Sequence, residues 1–208
     1  MPTFLQETIG LDIRTNGLLS AIPYAVFLVV NMTSGEIADF VRKRWISTGT
    51  TRKIFTNAGL FFSGFFLIIC GYFGTTITTS IVFLSLGIGL QGMVIAGHNV
   101  NNLDIAPRYS GIIMGITNMF GTIPGFLGPQ LAKAVAKMPP STIPARSPAY
   151  IEIYRKEWIN VFWVTAEICL FGMICYALLA DGKVQSWALD EPNESSEDSE
   201  KDIEEKIN

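Results

Sequence analysis

Formal charges leave long gaps along this chain, and the gaps define its elements. Residues 15–35 carry none, and neither do the fifty residues from 54 to 103. A third gap covers 109–132, and a fourth, 158–180, is interrupted only by Glu167. A membrane-crossing helix needs about 20 mainly apolar residues, so the fifty-residue gap is long enough for two. Gly71, Gly74 and the Thr/Ser cluster ending at Ser80 mark a short turn within it. The pattern therefore predicts five spans, at about 15–38, 54–74, 80–103, 109–132 and 158–180. A soluble bundle would have to show such runs to water on its outer faces. The predicted class is an all-α membrane protein with five transmembrane helices. Residues 1–14 are expected to be an extracytoplasmic segment, and 190–208 a disordered cytoplasmic tail.

Composition sharpens this picture. The 208 residues are 49% hydrophobic and 16% charged, against about 25% charged in an average soluble domain. Mean hydropathy is +0.36. From Asp190 onward nine acidic residues face two lysines, a net −7. The sequence pI near 5.2 thus describes the tail, which has little to bury. Cys70, Cys169 and Cys175 all fall in apolar runs and read as small hydrophobes, not as a disulfide framework. The N-terminus has neither a basic start nor an early apolar block, so it is not read as a signal peptide. There is one histidine, no Cys-x-x-Cys, no Walker loop and no Gly-x-Ser-x-Gly. The expectation is a non-enzyme with no metal, no cofactor and no nucleic-acid partner. Asn31-Met32-Thr33 matches a glycosylation acceptor but lies inside a span. Ser195, Ser196 and Ser199 sit among acids as candidate phosphorylation sites.

Basic residues in short loops orient the spans. Arg42, Lys43, Arg44, Arg52 and Lys53 place the first turn inside. The uncharged turn at 74–80 is then outside, and 104–108 inside. The segment 133–157 is outside although it carries Lys133, Lys137, Arg146, Arg155 and Lys156, because these are spread among acids. The acidic tail is inside.

In "SGEIADFVRKR", residues 34–44, Gly35 stands one helical turn from Asp39. Asp39 can pair with Arg42 or Lys43 at i+3 or i+4, and Arg44 follows. The glycine would let a second helix approach closely. A plain positive-inside anchor would need only the bases. The pattern Gly-x-x-x-Asp-x-x-Arg-Lys-Arg resembles the cytoplasmic loop signature of the major facilitator superfamily, where it implies a charge latch holding one conformation. Three further stretches narrow the resemblance. They are "GHNVNNLDIAPRYSGIIMGITNMFGTIPGFLGP" at 97–129, "LQETIGLDIRTNGLLSAIPY" at 5–24 and "DGKVQSWA" at 181–188. Together they are similar to the sialin, vesicular glutamate and type I phosphate transporter family, over nearly the whole chain to about Leu189.

That resemblance implies that the five spans are the eighth to twelfth helices of a twelve-helix fold, its C-terminal half. It implies secondary active transport of a small organic anion or phosphate by alternating access, with H+ or Na+ as coupling ion. The implied partners are the lipid bilayer, the anion, and the missing N-terminal half or a full-length relative. Lysosomal, vesicular and plasma membranes all stay open. On this reading the chain supplies one wall of the site and is inactive alone. The rival reading is a truncated, non-transporting membrane protein that binds or modulates a full-length relative. One departure matters: the histidine that the family places in its Asn-His-Leu-Asp motif falls on Asn102 here, and the chain's only histidine is His98.

Polar residues inside spans are costly and tend to face a cavity or a neighbouring helix. Ser20, Tyr24 and Asn31 share a face of the first span by 3.6 spacing, and Gln91, His98, Asn101 and Asn102 share one of the third. Both stripes are candidates for pathway lining. The alternative is interhelical hydrogen bonding, about 0.6 kcal/mol each in membranes. His98 and Glu167 are candidates for proton coupling. Asp104 and Arg108 are expected to pair across the turn that Pro107 enforces, and to act in gating. Gly111, Gly115, Gly121 and Gly125, with Pro124, are expected to pack or flex the fourth span.

Overall fold

The computed structural model describes residues 2–9, 13–140, 142–144 and 147–189. The expected tail at 190–208, with its three serines, lies outside the described residues. Five helical stretches are long and apolar enough to cross a membrane. They are α2 (Ile13–Arg44), α3 (Thr48–Phe73), a composite third span, α7 (Ser110–Val135) and α8 (Pro148–Leu179). A short helix, α1 (Pro2–Ile9), precedes them. The third span runs from Ile77 to Ile105. It consists of α4 (Ile77–Leu90), α5 (Gly92–Val94), a π-helical segment Ile95–Asn99, and α6 (Val100–Ile105).

Local chemistry sets the ends. Ser47 accepts from the Thr50 amide at 3.3 Å to start α3, and Thr76 and Thr79 form a reciprocal capping box for α4. Ser147 accepts from the Tyr150 amide at 3.2 Å, with Pro148 in the first turn of α8. Arg42, Lys43 and Arg44 close the last turn of α2, where cations oppose the helix dipole favourably. Helices α2 and α8 outrun the apolar runs in the sequence. The first turns of α8 carry Glu152 and Lys156, paired at 3.1 Å, so helical structure continues past the apolar layer.

Helix α3 packs between α8 and the third span, and α2 packs across the other side of the third span. Close contact depends on glycines of α3 and the third span. A Cβ on Gly92 would stand 2.7 Å from the Asn31 amide nitrogen of α2, so only glycine admits the two backbones there. Segment 1–14, expected to be extracytoplasmic, is partly helical. Phe4 and Leu5 of α1 are fully buried beside Trp158 and Phe162. The Phe4 ring meets those two edge-on at 5.5 and 5.2 Å.

Helix α7 stands apart. Among the described residues none of it is buried. A Cβ on Gly111, Gly115, Gly121, Gly125 or Gly128 would meet nothing within 4 Å. Among the described residues the expected close packing of the fourth span's glycines is therefore not made; the second and third spans supply it instead. A gap of about 500 Å³, lined by Gly128, Pro129, Leu84 and Trp158 among others, separates α7 from the bundle core at one end.

Candidate functional site

The basic end of the bundle is organised around one arginine that the sequence pattern did not single out. Arg52, in the second turn of α3, is 2% exposed. Its Nε donates to Asp104 Oδ2 of α6 at 2.6 Å. Its Nη1 donates to the Ala96 carbonyl at 2.9 Å. Its Nη2 lies 3.9 Å from Asp39 Oδ1 of α2. Asp39 in turn holds Arg42 Nε at 3.6 Å, a separation that makes an ion pair but not a hydrogen bond. Two guanidiniums and two carboxylates thus balance in charge. They tie the ends of the first three spans at one point. The Arg52–Asp104 contact is the short, charge-assisted member; Asp39 and Arg42 sit nearer solvent and contribute less.

The π segment explains how Arg52 finds a carbonyl. An α-helix consumes its own carbonyls, whereas a π-bulge shifts the ladder by one residue and leaves groups to satisfy elsewhere. The Ala96 carbonyl lies within this segment, and it accepts from Arg52. Close approach makes this geometry feasible: a Cβ on Gly97 would run into Thr56 Oγ1 and the Arg52 carbonyl of α3. Bulge, glycine and arginine form one unit.

The same bulge divides the expected stripe on the third span, because 3.6 spacing does not run through it. His98, Asn101 and Asn102 line a pocket against α8 that Gln91 does not share. The His98 ring meets Tyr176 of α8 edge-on at 5.7 Å. Asn101 Nδ2 donates to the Asp181 carbonyl just beyond α8 at 3.0 Å. Gln91 lies at a tightened turn between α4 and α5, beside the glycine that meets α2. The first-span stripe is divided as well. Ser20 is buried and donates to Asn16 Oδ1 at 3.2 Å. Tyr24 is 59% exposed, and Asn31 is half-buried at the Gly92 crossing.

The remaining expected residues are placed as follows. Lys43 and Arg44 are exposed at the end of α2. Gly35 has open space where a Cβ would stand, so among the described residues no helix approaches it closely. Asp104 spends its short contact on Arg52, not within its own turn. The Arg108 guanidinium lies 5.8 Å from the Tyr109 ring centroid. Glu167 is exposed on α8, in an apolar groove with Phe61, Phe65 and Trp163. Among the described residues, no three His, Cys, Asp or Glu side chains group as a metal site.

The segment after α8 turns back over this end. The Gln185 amide donates to the Ile105 carbonyl at 2.9 Å. The Trp187 ring lies 6.0 Å from that of Tyr109. Gly182 packs directly on Gly49 at the start of α3. The stretch "DGKVQSWA" is therefore a strap that ties the end of α8 to α3 and to the turn between the third and fourth spans.

No family model matches the chain. Human sialin is 37% identical over 192 residues, which is 92% of this chain and 36% of sialin. Bovine vesicular glutamate transporter 2 is 38% identical over 198 residues, 95% of this chain and 31% of that protein. Bovine vesicular glutamate transporter 1 is 37% identical over 198 residues, 95% of this chain and 32% of that protein. The chain thus spans about a third of the length of these relatives. Identity at this level, carried through 92–95% of a five-span helical membrane chain, leads to one conclusion: over the third of their length that it spans, the chain is a homologue of sialin and the vesicular glutamate transporters.

Proposed function

We propose that this chain forms one wall of a secondary active transporter for small organic anions or phosphate, and corresponds to the C-terminal half of a twelve-helix fold. The carrying observation is the match of 92–95% of the chain to proteins named as sialin and vesicular glutamate transporters. The geometry supports the same reading in two ways. Helix α7 leaves most of its length open, and Tyr24, Leu28 and Met32 leave a side of α2 open. Those are the faces a second six-helix half would cover, with the substrate path between. The Arg52–Asp39–Asp104–Arg42 cluster then acts as the cytoplasmic latch. It holds the inner ends of three spans as one rigid body, and its less buried Asp39 side is free to exchange partners as the halves rock.

On this reading the path side of the chain is Tyr24 with the open face of α7, and Asn31 and Gln91 flank the crossing of α2 with the third span. The chain alone does not transport. A paired-cysteine experiment tests the arrangement. Gly115→Cys on α7 should cross-link to cysteines on the interface helices of a co-expressed N-terminal half from a relative. Cross-linking only to a second copy of this chain would favour the rival, a non-transporting membrane protein.

A further inference from the structure

A groove of about 200 Å³ runs along the seam of α3 and α8, and its lining comes from those two helices. A glycine shapes its floor. A Cβ on Gly64 would stand 3.3 Å from Ala166 Cα, so the two backbones come close there while larger side chains rise on either side. Phe61 and Phe65, one helical turn apart, form the α3 wall, with their rings stacked at 6.1 Å and 7° between planes. Trp163, Leu170 and Met173 form the α8 wall. The Trp163 indole is held in place, its Nε1 donating to Tyr72 Oη of α3 at 3.2 Å. The lining holds one charged residue, Glu167, and it is exposed. Among the described residues Glu167 makes no hydrogen bond or ion pair. It stands nine residues after Trp158 and thirteen before Ala180 in the apolar run, so about 14 and 20 Å from the two ends of that run. An acid at mid-span is costly without a partner and marks a functional site.

The lining specifies the partner. A carboxylate can only accept hydrogen bonds, and its charge calls for a cation. The Phe61, Phe65 and Trp163 rings favour the same sign over their faces. The rest of the lining is apolar apart from Cys169, so one cationic group on an apolar body matches it. Depth excludes a phospholipid headgroup, whose phosphate would have to leave the interface for the middle of the hydrocarbon. Size excludes a helix, which is about 10–12 Å across with its side chains. We propose that this groove is a binding site for lipophilic amines, with the ammonium between Glu167 and the three rings and the hydrocarbon body along Leu170 and Met173. The site takes a cation and uses α3 and α8, so it does not depend on which anion the pathway carries.

The experiment uses the purified full chain in detergent and dodecylamine carrying a mid-chain diazirine, with the matching alcohol and carboxylic acid as controls. Photolabelled residues are mapped by peptide mass spectrometry. The amine should label 60–68 and 163–173 saturably and several-fold more than either control, and unlabelled dodecylamine should remove that labelling. Glu167→Gln, at an exposed position, should keep the thermal midpoint and drop amine labelling to the level of the alcohol; Glu167→Asp should retain part of it. Phe65→Leu, with the carboxylate intact, should weaken amine labelling a few-fold and leave the alcohol unchanged. Equal labelling by amine and alcohol, or amine labelling that survives Glu167→Gln, would overturn the proposal. So would a Cys169–Cys169 cross-link between copies that excludes the amine, since a second copy and not a ligand would then cover the groove.

Discussion

At the scale of single residues, Arg52 carries the most weight and was the least legible. Its partners lie 13 residues before it and 52 after it, so no helical periodicity links them. The sequence offers it only as one more base in a positive turn. Asp39 and Arg42, by contrast, could be paired on spacing alone, and they stand 3.6 Å apart. Removing one member of a buried, hydrogen-bonded pair strands the other and costs about 3–5 kcal/mol. Arg52→Met should therefore lower the chain's stability by that order in a denaturant titration. Arg52→Met combined with Asp104→Leu should recover most of it, since no charge is then left unpaired. Equal losses in the single and double variants would remove the pairing as the cause. Arg42→Met, at the solvent side, should cost no more than about 1 kcal/mol.

At the scale of elements, the five spans could be read from the sequence because lipid demands long uncharged runs and nothing else in the chain mimics them. Their interruptions could not be read. A π-bulge leaves no residue signature, yet it decides that His98, Asn101 and Asn102 face α8. Glycine was legible as a residue but not as a contact. Gly111 and Gly115 on α7 have the spacing of a packing motif and meet nothing here, while Gly97 and Gly92, without an obvious motif, carry the closest crossings. Two substitutions separate these cases. Gly97→Ala should destabilise the isolated chain by about 1–3 kcal/mol, because Thr56 and the Arg52 backbone must move. Gly115→Ala should change it by less than about 0.5 kcal/mol, as at any open surface position. The reverse ranking in thermal midpoints would mean that α7 packs on the bundle after all.

At the scale of the whole molecule, the chain is well packed where α2, α3, the third span and α8 meet, and open along α7. Helix α7 touches the bundle chiefly at its ends, where Ala132 packs on the core. The family resemblance was legible from the stretch at 97–129 and the strap at 181–188, and the match to sialin and the vesicular glutamate transporters agrees with it. What the sequence could not convey was the strap's work. Its glycine-on-glycine contact with α3 and its bond to Ile105 need the fold to bring residues 49, 105 and 182–185 together.

The most direct test of the central claim is anion uptake into proteoliposomes. One set holds this chain alone; a second holds it co-assembled with the N-terminal half of a relative; protein-free vesicles give the baseline. Labelled sialate, glutamate and phosphate are each offered under an imposed proton or sodium gradient. Baseline uptake is expected for the chain alone, and gradient-driven uptake of at least one anion for the pair. Uptake by the chain alone, or baseline uptake from a pair that co-purifies intact, would contradict it.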